Sequence, residues 1–307
     1  MRVTMRTKRP RWPLFVFWGR AKGHWGPGLR GVLTGLMVTW LAACVAAPSA
    51  PLAPLPAERA AALAALLPAD ALLLGEQHDA DAHQQLERQT VQWLAEQGQL
   101  AALVIEMAEQ GRSTRGLHTT ANEGEVRTAL DWPAQGWPWA RYGPMVMAAV
   151  RAGVPVLGGN LPRAQQRATM GDAALDARLP PAALAEQSEH IRQGHCGALP
   201  EPQVLPMTRV QIARDIAMAS SVQAARQSGR TVLLVAGQNH VERGLGVPVH
   251  LSPDFKVKVL LAIAQPASVA TKNEANTAPE LHRVDLVWTT PAPPPHDYCA
   301  DFPRAKK

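Results

Sequence analysis

The sequence predicts an α/β fold, a mostly parallel central sheet flanked by helices, with a helical layer or subdomain inserted between strands. Short apolar runs recur along the chain, and longer helical patterns separate them, which is the signature of repeated βα units. Four of the runs end in polar or glycine-containing clusters, as strands do where a parallel sheet meets its ligand cleft.

The first run is Ala71 to Leu74, followed by a helical pattern from about Ala82 to Glu96 and a second run at Ala101 to Met107. Val154 to Leu157 and Thr231 to Ala236 read as two further buried strands. The 70 or so residues between these two are helical in character, notably Pro181 to His190 and Val204 to Gln227, and supply the inserted layer. Lys256 to Ala264, with partial alternation, and His282 to Thr289 read as strands that extend the same sheet. Thr271 to Pro279 is polar and reads as a surface loop, and Pro291 to Pro295 ends regular structure. No repeat of 20 to 50 residues is apparent.

The 307 residues, 47% of them hydrophobic, can bury a substantial core. The formal charge of +6 would suggest an acidic partner, but its location removes that reading. Residues 1–43 hold eight basic side chains and no acid. Of the 31 lysines and arginines, 23 remain for the rest of the chain, against all 25 acids. A nucleic-acid partner is therefore not expected.

The basic start, the apolar run Val32 to Leu41 and the sequence Leu41-Ala42-Ala43-Cys44 form the order of a secretory signal. The run is about ten residues long, where a bilayer span needs about 20, so a transmembrane anchor is the weaker reading. The long basic region also allows a later start, for example at Met5. Leu-Ala-Ala-Cys resembles a bacterial lipobox, which makes residues 1–43 a signal peptide and Cys44 the lipidated first residue; an ordinary signal peptide with an incidental cysteine is the other reading. Val45 is not the aspartate typical of inner-membrane retention, so the resemblance points to the outer membrane. Residues 44–60, rich in Ala and Pro, read as a tether, 61–290 as the domain and 291–307 as a Pro-rich tail. Cys196 and Cys299 remain, in a compartment where disulfides persist. A bridge between them would close a loop of roughly 100 residues, worth up to about 4 to 5 kcal/mol in the chain-entropy model; two unrelated thiols are the alternative.

The strand-end clusters are Gly75-Glu76-Gln77-His78, Glu106, Gly158-Gly159-Asn160 and Gly237-Gln238-Asn239-His240. Each alone is an ordinary turn; together they should share one cleft. In both glycine-x-x-histidine segments the glycine permits a tight turn that presents His78 or His240 at the rim. Such histidines bind metal, take a proton or touch a cofactor; capping a helix is the other reading. Glu76 and Glu106 could orient a histidine or bind metal, or could be acids at helix N-termini. Aromatic residues concentrate in Trp132 to Tyr142. Tyr142 starts a helical pattern running to Ala152, beside Arg141. A phenolate can ligate haem iron and a cation suits its propionates, although chemistry alone favours a packed aromatic corner. Tyr298, in the tail, is a poorer candidate.

Leu74 to His78, Ile105-Glu106-Met107, Trp139 to Tyr142, Gly158 to Arg163, Gln211 to Asp215 with Met218-Ala219, and Ala236 to His240 occur in this order. Together they resemble the ChaN haem-binding domain of the Tiki superfamily, over roughly residues 65 to 290. The resemblance implies an iron-regulated lipoprotein that binds haem through a tyrosine and dimerises around paired cofactors. Tyr142 inherits the ligand role, with His78, His240, Arg141, Glu76, Glu106 and Asn160 as the other cofactor-binding positions. Function is then haem or iron uptake at the cell envelope, with an outer-membrane haem receptor as an expected partner. The same superfamily contains Tiki metalloproteases, erythromycin esterases and TraB-like proteins. The alternative is thus a metal-dependent hydrolase in which His78, His240, Glu76, Glu106 and Asp215 bind metal or act as bases. No local signature such as His-Glu-x-x-His supports its metal geometry. A lipoprotein that only scaffolds partners is a third class.

Overall fold

A computed structural model describes residues 53–133, 135–265 and 284–300. The signal peptide, Cys44, the start of the tether and the loop at Thr271 to Pro279 lie outside them. Six strands form one sheet: β1 (Ala71–Glu76), β2 (Leu100–Glu109), β3 (Val156–Asn160), β4 (Thr231–Gly237), β5 (Val257–Gln265) and β6 (Leu286–Pro291). Their order is β3-β2-β4-β1-β5-β6 and every pairing is parallel.

The central strands are buried on both faces, which explains their unbroken apolar sequences. In β1, Leu72 and Leu74 point to one core and Ala71 and Leu73 to the other. The first core is covered by α1 (Ala57–Ala64), α2 (Asp81–Glu96), α3 (Glu123–Ala129) and α4 (Trp139–Arg151). The second is covered largely by α7 (Glu201–Ala224), through Met218, Ala219 and Val222. Between β3 and β4, α5 (Arg163–Met170), α6 (Pro181–Gly194) and α7 form the inserted helical layer. No helix among the described residues is long and apolar enough to cross a membrane.

Both ends of the folded unit reach beyond the expected domain limits. Pro56 precedes α1 with φ −53°, so the alanine-rich segment becomes helical from Ala57 and buries Leu63, with Leu55 also in the core. At the other end Cys299 is joined to Cys196 by a disulfide, with Cα atoms 5.5 Å apart. This ties the tail to the turn after α6.

The chain runs from β1 outward through β2 to β3 and returns to place β4 between β1 and β2. It then crosses to the other side of β1 for β5 and β6. Such a reversal opens a crevice at the carboxyl ends of the inner strands. There Glu76 is level with Gly237, and Glu106 follows Ile105, which pairs with Val235. At the neighbouring edge, only glycine fits at position 158: a Cβ there would lie 1.9 Å from the carbonyl oxygen of Glu109.

Candidate functional site

Four strand ends and three helices converge on a buried charge cluster. From β1 comes Glu76, whose Oε1 accepts a hydrogen bond from Nδ1 of His78 at 2.8 Å and from the phenol of Tyr142 at 2.9 Å. Its Oε2 accepts from the side-chain amide of Gln84, on α2. Burial works against the charge on Glu76, but His78 and these donors outweigh it and hold its carboxyl below the usual range. Glu87, on the same helix, is fully buried; burial and the Glu76 charge push its carboxyl well up, so it is the protonated member of this carboxyl pair.

From β2 comes Glu106. Its Oε2 accepts the backbone N–H of Gly237 at 2.8 Å, and its Oε1 accepts from Arg214 of α7 and lies 3.4 Å from Nε2 of His240. Burial would neutralise this carboxylate, but His240, Arg214 and His78 hold it well below the ordinary range. Arg214 also donates to Oδ1 of Asn160 at 2.9 Å, and Asn160, ending β3, donates back to the Glu106 carbonyl at 2.9 Å. His240 places Nδ1 2.5 Å from Oδ1 of Asp215 and near the Gln211 amide. Burial disfavours its charge, yet Glu106 and Asp215 raise its pKa to about 9.

His78 is the accessible member, with 22% of its side chain exposed, whereas His240 is 3% exposed. Burial lowers the basicity of His78, but Glu76 and Glu106 more than restore it. Glu76 is an acceptor, so Nδ1 carries the proton and Nε2 is the variable position. Nε2 lies 3.9 Å from Glu106, beyond hydrogen-bond distance. Gly237 lies beside it: a Cβ there would come within 3.0 Å of Nε2.

The structure therefore brings Glu76, His78, Glu106, Asn160, Asp215 and His240 together as one cluster. Arg141 stands at the rim, donating to the His78 carbonyl at 3.1 Å and pairing with Asp81 at 3.1 Å. Tyr142 is buried beside Glu76. It is 1% exposed, its hydroxyl faces Glu76, and burial with the charge of Glu76 pushes its pKa well up. It belongs to a packed aromatic corner in which Trp137 sits edge-on both to Tyr142, at 5.7 Å, and to His78, at 4.8 Å. Among the described residues no group of three or more His, Cys, Asp and Glu side chains is arranged to hold a metal ion. The carboxylates that the hydrolase reading would use face His78, Arg214 and His240 instead.

Gln84 and Glu87 were not singled out in the sequence, and Gln211 and Arg214 entered only as part of the Gln211 to Asp215 segment, without a site role. Their signal is polar residues on the buried face of a helix: Gln211 and Asp215 are one turn apart in α7, as are His83 and Glu87 in α2.

A parallel α/β sheet carrying a charge cluster at its carboxyl edge defines the class of protein. The haem-binding uptake, Tiki superfamily, ChaN family profile matches residues 62–251, and the chain belongs to this family. Among solved structures, "Cofacial heme binding to ChaN of Campylobacter jejuni" aligns with a TM-score of 0.54 and 22% identity, over 67% of this chain and 85% of that one, and has the same fold. The type III effector HopBA1 aligns with a TM-score of 0.42 and 14% identity, over 73% and 88%. No curated protein matches significantly.

Proposed function

We propose that this protein binds haem in the crevice at the carboxyl ends of β1, β2 and β4 and contributes to haem or iron uptake. The observation that carries the reading is family membership across residues 62–251, the segment that supplies every member of the charge cluster. The residues present suit the group. His78 offers an imidazole oriented by a carboxylate, the arrangement found behind metal-bound histidines. Gly237 leaves the edge beside Nε2 clear. Trp137 supplies an apolar wall against which a porphyrin can pack, and Arg141 and Arg214 supply cationic charge for propionates.

Haem bound here would supply an iron centre, and the chain's own residues would hold and orient the group. Glu76 fixes the tautomer of His78. Glu106, saturated by Gly237, Arg214 and His240, stays charged without claiming Nε2. Gln84 and Tyr142 hold Glu76 in place. The lipobox supports attachment to the envelope through Cys44, at the outer membrane facing the periplasm. Cofacial heme binding in the Campylobacter jejuni ChaN supports paired haems, around which this chain would dimerise, and an outer-membrane haem receptor would be the partner.

The test is absorption titration of the full-length chain, purified in detergent, with haemin. Saturable binding with a shifted Soret band is expected; unsaturable partition with the spectrum of free haemin would overturn the reading. Labelled fatty acid should enter the wild-type protein in bacteria and not the Cys44→Ser variant.

A further inference from the structure

Resting on the haem reading, we propose that the tail from Ala292 to Cys299 is a strap bounding the β5–β6 side of the crevice, and that the Cys196–Cys299 disulfide is a redox latch that holds it there.

The topology places both anchors of the strap. Every strand is parallel, so β6 ends at the same carboxyl edge as β1, β2 and β4, with Pro291 paired to Gln265 and the Ala292 N–H donated to the Gln265 carbonyl. The second anchor stands above that edge. Arg226, just past α7, pairs with Asp70 ahead of β1, at the amino edge of the sheet, whereas Gln211, Arg214 and Asp215 reach His240 and Glu106 at the carboxyl edge. Glu201 to Val210 therefore run on past the strand ends, by roughly 15 Å at about 1.5 Å per residue. Thr208 bonds Ser188 and Arg192 bonds Glu201, so α6 packs beside this projecting half and Cys196, in the turn between the two helices, is at its tip.

Pro293 to Pro295 carry the chain between the anchors. Prolines have no N–H to enter a ladder and favour an extended conformation rising about 3.1 Å per residue, which gives Ala292 to Cys299 a reach of about 20 Å. From β6 across β5 and β1 to β4, over which α7 lies, the sheet is about 14 Å wide. The tail thus crosses the carboxyl side of β5 and β1. Its far end is joined to the helical hairpin by the disulfide, while Cys299 and Ala300 bond back to Asp297 within the tail. β6 has separate anchors, Trp288 in the core and the Thr289 carbonyl accepting from Arg59, so opening the latch frees the tail and keeps the strand. Both cysteines are only partly buried, within reach of a dithiol. Reduction breaks the S–S bond: two electrons and two protons pass from the dithiol to Cys196 and Cys299, and the dithiol becomes a disulfide.

The test times haem release from the full-length chain in detergent, loaded with haemin and mixed with excess apomyoglobin as acceptor. Oxidised protein is compared with protein reduced by dithiothreitol and then freed of it under argon. Release should be about tenfold faster or more after reduction, and Cys299→Ser should release as fast without reduction. Equal rates in the oxidised, reduced and variant proteins overturn the latch. Faster release with faster amide exchange throughout β1 and β2 also overturns it, because the disulfide then acts on overall stability. The haem-free chain gives an independent readout: diethyl pyrocarbonate should modify His78, the accessible histidine of the cluster, faster after reduction. An unchanged rate contradicts the strap, whereas a changed rate in a protein that binds no haemin removes the haem reading and leaves the strap standing.

Discussion

Tyr142 donates its phenolic hydrogen to Oε1 of Glu76 at 2.9 Å, the same oxygen that accepts Nδ1–H of His78 at 2.8 Å. One buried carboxylate oxygen thus connects the aromatic corner of α4 to the accessible histidine. Tyr142→Phe keeps the ring packing and removes one charge-assisted bond, so it should destabilise the protein by about 1.5 to 3 kcal/mol. Denaturant unfolding of the haem-free chain checks this; an unchanged midpoint would show that the bond contributes nothing.

The His240 cluster sets the alkaline limit of stability. Its pKa rises from an ordinary 6.5 to about 9 in the folded chain, facing Glu106, Asp215 and Gln211. A raised folded-state pKa stabilises fully below the unfolded value, and that contribution is lost as pH climbs from about 6.5 through about 9. The shift corresponds to about 3 kcal/mol. Glu106 behaves in the opposite sense: held well below its ordinary value of 4.5, it stabilises above that pH and loses its contribution on acidification. Unfolding free energy measured against pH should therefore fall on both sides, and His240→Gln should flatten the alkaline limb and, by removing a charge that holds Glu106 low, weaken the acid limb as well.

Asp215 is the lever on His240. Asp215→Asn leaves an oxygen to accept from Nδ1 but removes the charge, so the His240 pKa should drop by about 1 to 3 units. NMR titration of the imidazole reads this directly. A pKa that stays near 9 would assign the whole shift to Glu106.

Gly237→Ala tests the clear edge beside His78. The added methyl meets the far end of one imidazole, which can give way, so the fold should survive while haemin affinity falls by roughly tenfold or more. Gly158→Ala is the contrast. Its Cβ would meet backbone at 1.9 Å, and the β2–β3 edge should be destabilised by about 3 kcal/mol or more, visible as loss of folded protein.

The strands were legible because β1, β2 and β4 are apolar on both faces, and Glu76, His78, Glu106 and His240 were legible because they stand at or just past the ends of those apolar runs. Other features arise only from packing. Arg214 reaches Glu106 from 108 residues away once α7 has docked on the sheet, and its place in the Gln211 to Asp215 segment does not reveal that partner. The direction of Tyr142 was likewise hidden: at the start of α4 it could face solvent or sheet, and the docking of α4 against α2 turns it inward. The start of α1 was read as tether because proline-rich composition masks a helix that begins just after a proline.

The central claim is that haem sits at the carboxyl ends of the inner strands. It is tested most directly by amide hydrogen exchange of the full-length chain with and without a saturating diamagnetic gallium protoporphyrin. Added protection is expected in segments around residues 76–81, 106–112, 137–142, 158–163 and 237–241. Protection at the opposite end of the sheet, or saturable binding that leaves these segments unchanged, would contradict it.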